Sequence, residues 1–150
     1  MTIGDMSFMQ YSVLNDPAYA RSNPSVVNEA LRKLGCNPSS NFRVFYERYA
    51  GPFTSEYWGF SLLDIIDQVT NIVTQTEECR KHLGFPAKCL AISDIVGNAI
   101  LVYDCITDAV FNVDFEGGDK KLIAGTLAPS WRSFSEFLVS YFQGSETSET

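Results

Sequence analysis

The stretch that decides the fold is residues 41–64, which reads NFRVFYERYAGPFTSEYWGFSLLD. Its first part has the i, i+3, i+4, i+7 spacing of one helix face, at Phe42, Phe45, Tyr46 and Tyr49. Gly51 and Pro52 follow and end this helix. An aromatic stripe at this spacing usually buries one face of a helix, so we expect it to form core. The stretch builds a surface and carries no evident group for proton transfer, which favours binding over catalysis.

An Asn-Pro pair predicts the start of each of two helices in this region. Asn23 is suited to cap a first helix with Pro24 at its first position, and Gly35 is suited to end it. Asn37 and Pro38 then predict the start of the aromatic helix.

Beyond the aromatic turn, the apolar pattern alternates between strand-like and helix-like. Residues 60–66 predict a strand. The Thr-x-x-Glu motif that begins at Thr74 predicts a helix cap, with the helix ending at Gly84. A second such motif, Ser-x-x-Glu from Ser133, predicts an amphipathic C-terminal helix that stops at Gly144.

Three apolar runs between these helices predict an antiparallel meander, at residues 88–92, 99–103 and 109–115. Alternation along the last run predicts one face packed on helices and one wetter face. Residues 116–119, with two glycines, should break the strand.

These elements make one α+β domain, a twisted antiparallel sheet flanked by N-terminal and C-terminal helices. A chain of 150 residues with 45% hydrophobic content is large enough for one core. We expect a partly ordered arm at residues 1–22, the α+β domain at residues 23–144, and a fraying polar tail at residues 145–150.

The charge of the chain is concentrated in its middle. The formal net charge is -7, and residues 49–79 hold five acids and no base, while residues 89–119 hold six acids and no base. Such a field repels nucleic acid and anionic membrane and favours a basic partner. The alternative is that the acids only keep the protein in solution. With neither a signal-peptide pattern nor a long apolar run, the chain is expected to be cytoplasmic.

Candidates for chemistry are few. The four cysteines are far apart, with no Cys-x-x-Cys pair, so we expect reduced thiols, at Cys36, Cys79, Cys89 and Cys105. His82 has no nucleophile motif beside it, and we expect it to be structural or solvent-exposed.

Three carboxylates around a glycine turn, Asp114, Glu116 and Asp119, could converge on a hard cation. Their spacing is not that of an EF-hand loop, and two glycines after a strand more often make a turn. We therefore expect no metal, no cofactor and no enzyme activity. A metal-dependent hydrolase built on these carboxylates is an alternative.

In order and spacing, several segments resemble the SUKH superfamily, which includes bacterial immunity proteins and a fungal cell-wall assembly regulator. The resemblance covers residues 24–143 and is carried by residues 42–56, 62–65, 90–94, 110–118 and 131–142. It implies an α+β fold without catalytic activity. In bacteria it implies an antidote that neutralises a cognate secreted toxin, often a nuclease. The fungal members suggest an alternative, a regulatory interaction domain with another partner.

The candidate partner-binding residues come from side-chain chemistry alone. Glu56, Tyr57 and Trp58 combine a carboxylate with aromatic anchors, the composition of an interface hot spot. Asp114, Glu116 and Asp119 could add acidic contacts. The alternative for Tyr57 and Trp58 is that they cap the core. A homodimer through an exposed sheet edge is also open.

Overall fold

The computed structural model describes residues 11–66 and 69–144. Within them the chain has five α-helices and one three-stranded antiparallel sheet, which confirms the α+β class. The helices are α1 (Ser25–Leu34), α2 (Ser40–Arg48), α3 (Ile72–Leu83), α4 (Gly118–Ala124) and α5 (Phe134–Gln143). The strands are β1 (Cys89–Ala91), β2 (Ala99–Asp104) and β3 (Val110–Asp114). In this described part, no helix combines the length and apolar character needed to span a membrane. The predicted tail, residues 145–150, lies outside the described residues.

The two N-terminal helices follow their predicted patterns, with a shift at one start. Helix α1 ends at Gly35, whose φ of 70° is left-handed, as expected. Helix α2 begins later than the predicted Asn37 and Pro38, because the side chain of Ser39 accepts a hydrogen bond from the Phe42 N–H at 3.3 Å. The aromatic stripe is core as predicted, with exposures of 0% to 9% at Phe42, Phe45, Tyr46 and Tyr49.

The predicted strand at residues 60–66 is wrong. Leu62 makes single-residue bridges in two directions, and no regular ladder continues from it. The physical reason is Asp64, which is fully buried and accepts hydrogen bonds from the Arg21 side chain and the Gly51 N–H. A buried charge must be paired, so the chain turns toward these donors instead of extending.

Helix α3 begins three residues before the position predicted from Thr74. The side chain of Asn71 accepts from the Thr74 N–H at 2.9 Å, and the Thr74 hydroxyl accepts from the Asn71 N–H at 3.1 Å. This reciprocal capping box places Asn71 outside the helix and Thr74 within its first turn. The predicted end at Gly84 is confirmed.

The sheet is the predicted meander, in the order β1-β2-β3. Along β3 the predicted alternation is confirmed, since Phe111 and Val113 are buried while Asn112 and Asp114 are exposed. Over the whole sheet, however, both faces carry buried apolar side chains. One face joins the main core beneath α2 and α5, through Leu90, Ile92, Leu101, Tyr103 and Val110. The other face forms a second core with α3 and α4, through Cys89, Ala91, Ile100, Val102, Phe111 and Val113.

Both edges of the sheet make hydrogen bonds to other segments of the chain. On the outer side of β1, the Thr76 hydroxyl of α3 accepts from the Ala91 N–H at 2.9 Å. On the outer side of β3, Val110 and Trp131 exchange two backbone hydrogen bonds of 3.0 Å. Each edge of the sheet therefore has backbone groups that are already hydrogen-bonded within the chain.

Sequence patterns missed helix α4 and found α5. The predicted break at residues 116–119 does end β3, but α4 begins within it at Gly118. Leu122 of α4 packs in the second core, on the face of the sheet that carries Phe111 and Val113. Helix α5 starts as predicted, since the Ser133 side chain accepts from the Glu136 N–H at 3.1 Å, and it ends at Gly144.

The N-terminal arm, residues 1–22, is described from residue 11 onward, and that part is docked on the domain. It forms two short 3-10 helices, Ser12–Asn15 and Pro17–Tyr19. Tyr11 and Leu14 lie in the main core with exposures of 3% and 4%.

The arm ends in a buried ion pair between Arg21 and Asp64, whose side chains are 2% and 0% exposed. The Arg21 guanidinium also donates to the carbonyl oxygens of Tyr46 and Tyr49, at the C-terminal end of α2. A cation is favoured there by the helix dipole. The pair therefore joins the arm, the end of α2 and the segment around residue 64.

Replacing Asp64 with asparagine should destabilise the fold strongly. The change keeps the shape but removes the charge that balances Arg21, so we expect a loss of about 3–5 kcal/mol in the free energy of unfolding. Urea denaturation measures this. A double variant, Arg21→Met with Asp64→Leu, removes both charges but also the partners of the Gly51 N–H and of the Tyr46 and Tyr49 carbonyls, so it should recover only part of the loss. Glu29→Gln, at an exposed position of α1, is the control. Equal stability of Asp64→Asn and wild type would contradict the importance of the pair.

Candidate partner-binding site

The β1–β2 hairpin turn presents apolar side chains to solvent at one end of the sheet. Val96 and Ala99 exchange two backbone hydrogen bonds, of 3.0 and 3.1 Å, around a two-residue loop. Gly97 in that loop has a φ of 61°, a conformation that glycine adopts without strain. Ile95 and Val96 are 52% and 37% exposed. The turn therefore holds two apolar side chains on a well-defined backbone.

The aromatic turn lies beside this hairpin. The Ser61 N–H donates to the Asp94 carboxylate at 2.9 Å. A Cβ placed on Gly59 would lie 4.0 Å from Val96 Cγ1. The segment that carries Glu56, Tyr57 and Trp58 is thus attached to the same end of the sheet.

Trp58 is used mainly for packing. Its indole Nε1–H lies 3.2 Å from the Ser140 carbonyl and 3.1 Å from the Ser140 hydroxyl. Its ring meets Trp131 edge-on, with ring centroids 5.3 Å apart. These contacts favour the interpretation that Trp58 caps the core.

Tyr57 is placed differently, since 54% of it is exposed. One side of its ring lies against the end of α5, where a Cβ on Gly144 would come within 2.5 Å of a ring carbon. Glu56 beside it is exposed. Tyr57 and Glu56 are therefore available to a partner, with the ring of Tyr57 held on a rigid support.

Ser55 is the residue that sequence reasoning missed in this turn. Its hydroxyl accepts from the Tyr57 and Trp58 N–H groups at 2.9 and 3.0 Å and donates to the Tyr141 carbonyl at 2.6 Å. Serine hydroxyls often bond the backbone N–H about two residues further on, so Ser55 could have been recognised as a turn residue. The turn that these bonds hold forms one wall of a groove of about 330 Å³, whose other walls are the arm and α5.

The second set of predicted residues follows β3 on the other side of the hairpin. The Phe115 N–H donates to the Asn98 carbonyl at 2.9 Å, which places this segment next to the hairpin turn. Asp114 Oδ1 accepts from the Glu116 and Gly118 N–H groups at 2.9 and 3.1 Å. Asp114 is therefore committed to closing the turn into α4, while Glu116 is exposed.

The three carboxylates do not converge on a common point. In residues 11–66 and 69–144, no group of three or more His, Cys, Asp or Glu side chains is arranged to hold a metal ion. Asp119 differs from the other two, because its Oδ1 is buried without a hydrogen-bond partner. The hydrolase alternative therefore gains no support from this geometry.

The exposed groups at this end of the sheet form the surface that we call the hairpin-end surface. It comprises two sets, the apolar Tyr57, Ile95 and Val96 and the acidic Glu56, Asp114 and Glu116. The segments that carry the predicted acidic and aromatic residues thus both contact an apolar hairpin turn, which was not among the predicted site residues. Trp58 packs beneath this turn against α5 and Trp131, and Asp119 has a buried carboxylate oxygen, so neither is counted in the surface.

No protein-family model matches the chain. A search of curated proteins also finds no match. The SUKH resemblance therefore remains a prediction from the quoted residues, and the functional case rests on the hairpin-end surface.

Trp58→Ala and Tyr57→Ala should separate packing from surface roles. Loss of the half-buried Trp58 ring should cost roughly 2 kcal/mol in the free energy of unfolding, because it removes ring contacts and a hydrogen bond. Loss of Tyr57 should cost less than about 1 kcal/mol. Urea denaturation compares the two. If Tyr57→Ala were the more damaging change, the assignment of roles would be reversed.

The pKa of Asp114 should lie below the usual aspartate range, because backbone N–H groups of Gly118 and Glu116 stabilise its charged form. A lowered folded-state pKa contributes stability above the unfolded-state pKa, and this is lost as pH falls through the folded-state value. The stability difference between wild type and Asp114→Asn should therefore be present at neutral pH, begin to fall as pH drops below about 4, the unfolded-state value, and be lost as pH falls through the lower folded-state pKa. An NMR titration of the carboxyl measures the pKa directly, and an unshifted midpoint would contradict the prediction.

Proposed function

We propose that this chain is a non-catalytic immunity protein that binds and neutralises a cognate secreted toxin, with a basic nuclease as the best-fitting target. The SUKH resemblance supports this role. In this proposal the protein acts in the cytoplasm, binds protein rather than nucleic acid or membrane, and uses no cofactor.

The observation that carries the proposal is the composition of the hairpin-end surface. Protein interfaces concentrate their binding energy in a few apolar and aromatic side chains surrounded by polar groups. Tyr57, Ile95 and Val96 supply exposed apolar area, and Glu56 and Glu116 flank it. The hydrogen-bonded turns beneath these side chains hold them in place, so little conformational entropy is lost on binding.

The charge of this surface selects the kind of partner. The segments that form it, residues 54–61, 94–98 and 114–119, contain acids and no base. A nuclease that grips phosphates is basic, and opposite charges speed the association of two proteins. DNA, RNA and anionic lipid would instead be repelled.

The only histidine of the sequence, His82, lies far from the proposed surface, as expected if that surface binds a partner without acid–base catalysis by histidine. His82 lies near the C-terminal end of α3, where it is 60% exposed and pairs with Glu78 at 3.3 Å. That end of α3 adjoins the start of β1, at the opposite end of the sheet from the hairpin-end surface. His82 is therefore outside reach of a ligand on that surface.

The proposal is tested by calorimetric titration with the toxin domain encoded beside this chain, in a catalytically inactive form, at low and high salt. We expect tight binding that weakens as salt screens the charges. Absence of binding at both salt concentrations would overturn the immunity role and favour the regulatory interaction domain.

Matched substitutions locate the contact surface in the same titration. Val96→Ser should weaken binding about tenfold or more, because it removes an exposed apolar contact. Leu83→Ser, on α3 with the same 37% exposure, should have no effect. Glu116→Gln should slow association, whereas Glu77→Gln on α3 should not. Equal effects within each pair would place the toxin elsewhere on the protein.

A further inference from the structure

Two of the four cysteines meet at the end of the sheet opposite the hairpin-end surface. All four are free thiols in this structure. Cys36 follows α1, and Cys105 lies in the turn between β2 and β3, and both are partly exposed. Cys79 and Cys89 are buried, with exposures of 3% and 1%.

Cys36 and Cys105 each contact a backbone carbonyl of the neighbouring residues Ala87 and Lys88. The Cys36 Sγ lies 3.5 Å from the carbonyl oxygen of Ala87. The Cys105 N–H donates to the carbonyl oxygen of the next residue, Lys88, at 3.0 Å. Both cysteines therefore approach the chain at adjacent positions just before β1.

A second contact holds the same two segments together. Ser39 lies three residues after Cys36, and Asp108 lies three residues after Cys105. The Ser39 hydroxyl donates to the Asp108 carboxylate at 2.7 Å, and the Tyr103 hydroxyl donates to the same oxygen, also at 2.7 Å. The two segments thus run beside each other from the cysteines to this hydrogen-bonded cluster.

The pair opens onto a groove that a small reagent can enter. The groove has a volume of about 440 Å³, and Cys105 is among its lining residues. Lys88 lines it too, and the Arg80 guanidinium lies 3.7 Å from the Cys36 Sγ. Basic groups beside a cysteine attract anionic reagents and stabilise the thiolate.

The surroundings of Cys36 make its reaction slow rather than prevent it. Burial and the neighbouring Cys105 thiol raise the pKa of Cys36 to about 12, and this outweighs the opposite effect of Arg80. Little thiolate is then present at neutral pH, so the rate of reaction should increase as pH rises. Cys105, which lines the groove, is the better placed of the two for the first encounter.

We propose that Cys36 and Cys105 form a reversible disulfide when the protein meets a small anionic disulfide such as oxidised glutathione. The Cys105 thiolate attacks one sulfur of the reagent and releases one glutathione. The Cys36 thiolate then attacks the Cys105 sulfur of the mixed disulfide and releases the second glutathione. The protein loses two electrons and two protons, and the reagent gains them as two thiols.

This disulfide would staple segments that are already held together in the folded state. It would close a loop of roughly 70 residues in the unfolded chain, which restricts that chain strongly. We expect the melting temperature of the oxidised protein to exceed that of the reduced protein by on the order of 10 °C. The inference is independent of the proposed immunity function.

The test treats the full chain with oxidised glutathione, blocks remaining thiols, digests the protein and identifies linked peptides by mass spectrometry. We expect one linked pair, joining Cys36 to Cys105 with the loss of two hydrogen atoms, that forms faster at higher pH and is reversed by dithiothreitol. A linkage between other cysteines, stable glutathione adducts alone, or no linked peptide at saturating reagent would each overturn the proposal.

Single substitutions provide the matched controls. Cys105→Ser should abolish both the linked peptide and the rise in melting temperature on oxidation. Cys79→Ala removes a buried thiol and should leave both unchanged. An oxidation-dependent rise that persists in Cys105→Ser would show that the stabilisation has another source.

Discussion

The buried ion pair between Arg21 and Asp64 is the constraint on which the rest of the structure depends. Two charges taken out of water are stable only when each is well paired, and here the pairing draws in the carbonyls at the end of α2 and the Gly51 N–H. The arm, the aromatic helix and the segment around residue 64 must therefore come together for any one of them to be satisfied. This requirement fixes where the aromatic turn begins.

Tyr141 links the segment beside the ion pair to the turn of the candidate surface through hydrogen bonds. Its hydroxyl accepts from the Leu62 N–H at 3.0 Å and lies within 2.9 Å of the carbonyl oxygens of Phe53 and Phe60. Burial raises the pKa of Tyr141 well above its usual range, so the group stays protonated and able to donate. Its own carbonyl accepts from Ser55, which closes the turn under Tyr57. Helix α5 thus supports the turn that carries Tyr57.

The sequence predicted most elements whose outcome a local pattern controls, although it missed α4 and placed the start of α3 three residues late. The aromatic stripe of α2, the three strands and the glycine ends of α1, α3 and α5 are all short-range signals. It failed where a distant group decides, because nothing near residue 64 reveals that Arg21 will pair with Asp64 and bend the predicted strand. The residues of the candidate site also fall into those that sequence alone suggests and those that depend on long-range contacts. Side-chain type suggested Glu56, Tyr57 and Glu116 as candidates, whereas Ile95 and Val96 become candidates only through contacts between segments far apart in the chain.

The two proposed sites occupy opposite ends of the same sheet, and this separation makes them independent. Strand β2 runs from Ala99, next to the hairpin turn, to Asp104, next to Cys105. At about 3.4 Å per residue, the ends of this strand are roughly 17 Å apart. Perturbations at such a distance normally add without coupling when no element between them has two arrangements. Since both faces of the sheet are packed in buried cores, β2 offers no such element. Oxidation of the cysteine pair should therefore stabilise the scaffold and leave the affinity of the hairpin-end surface unchanged.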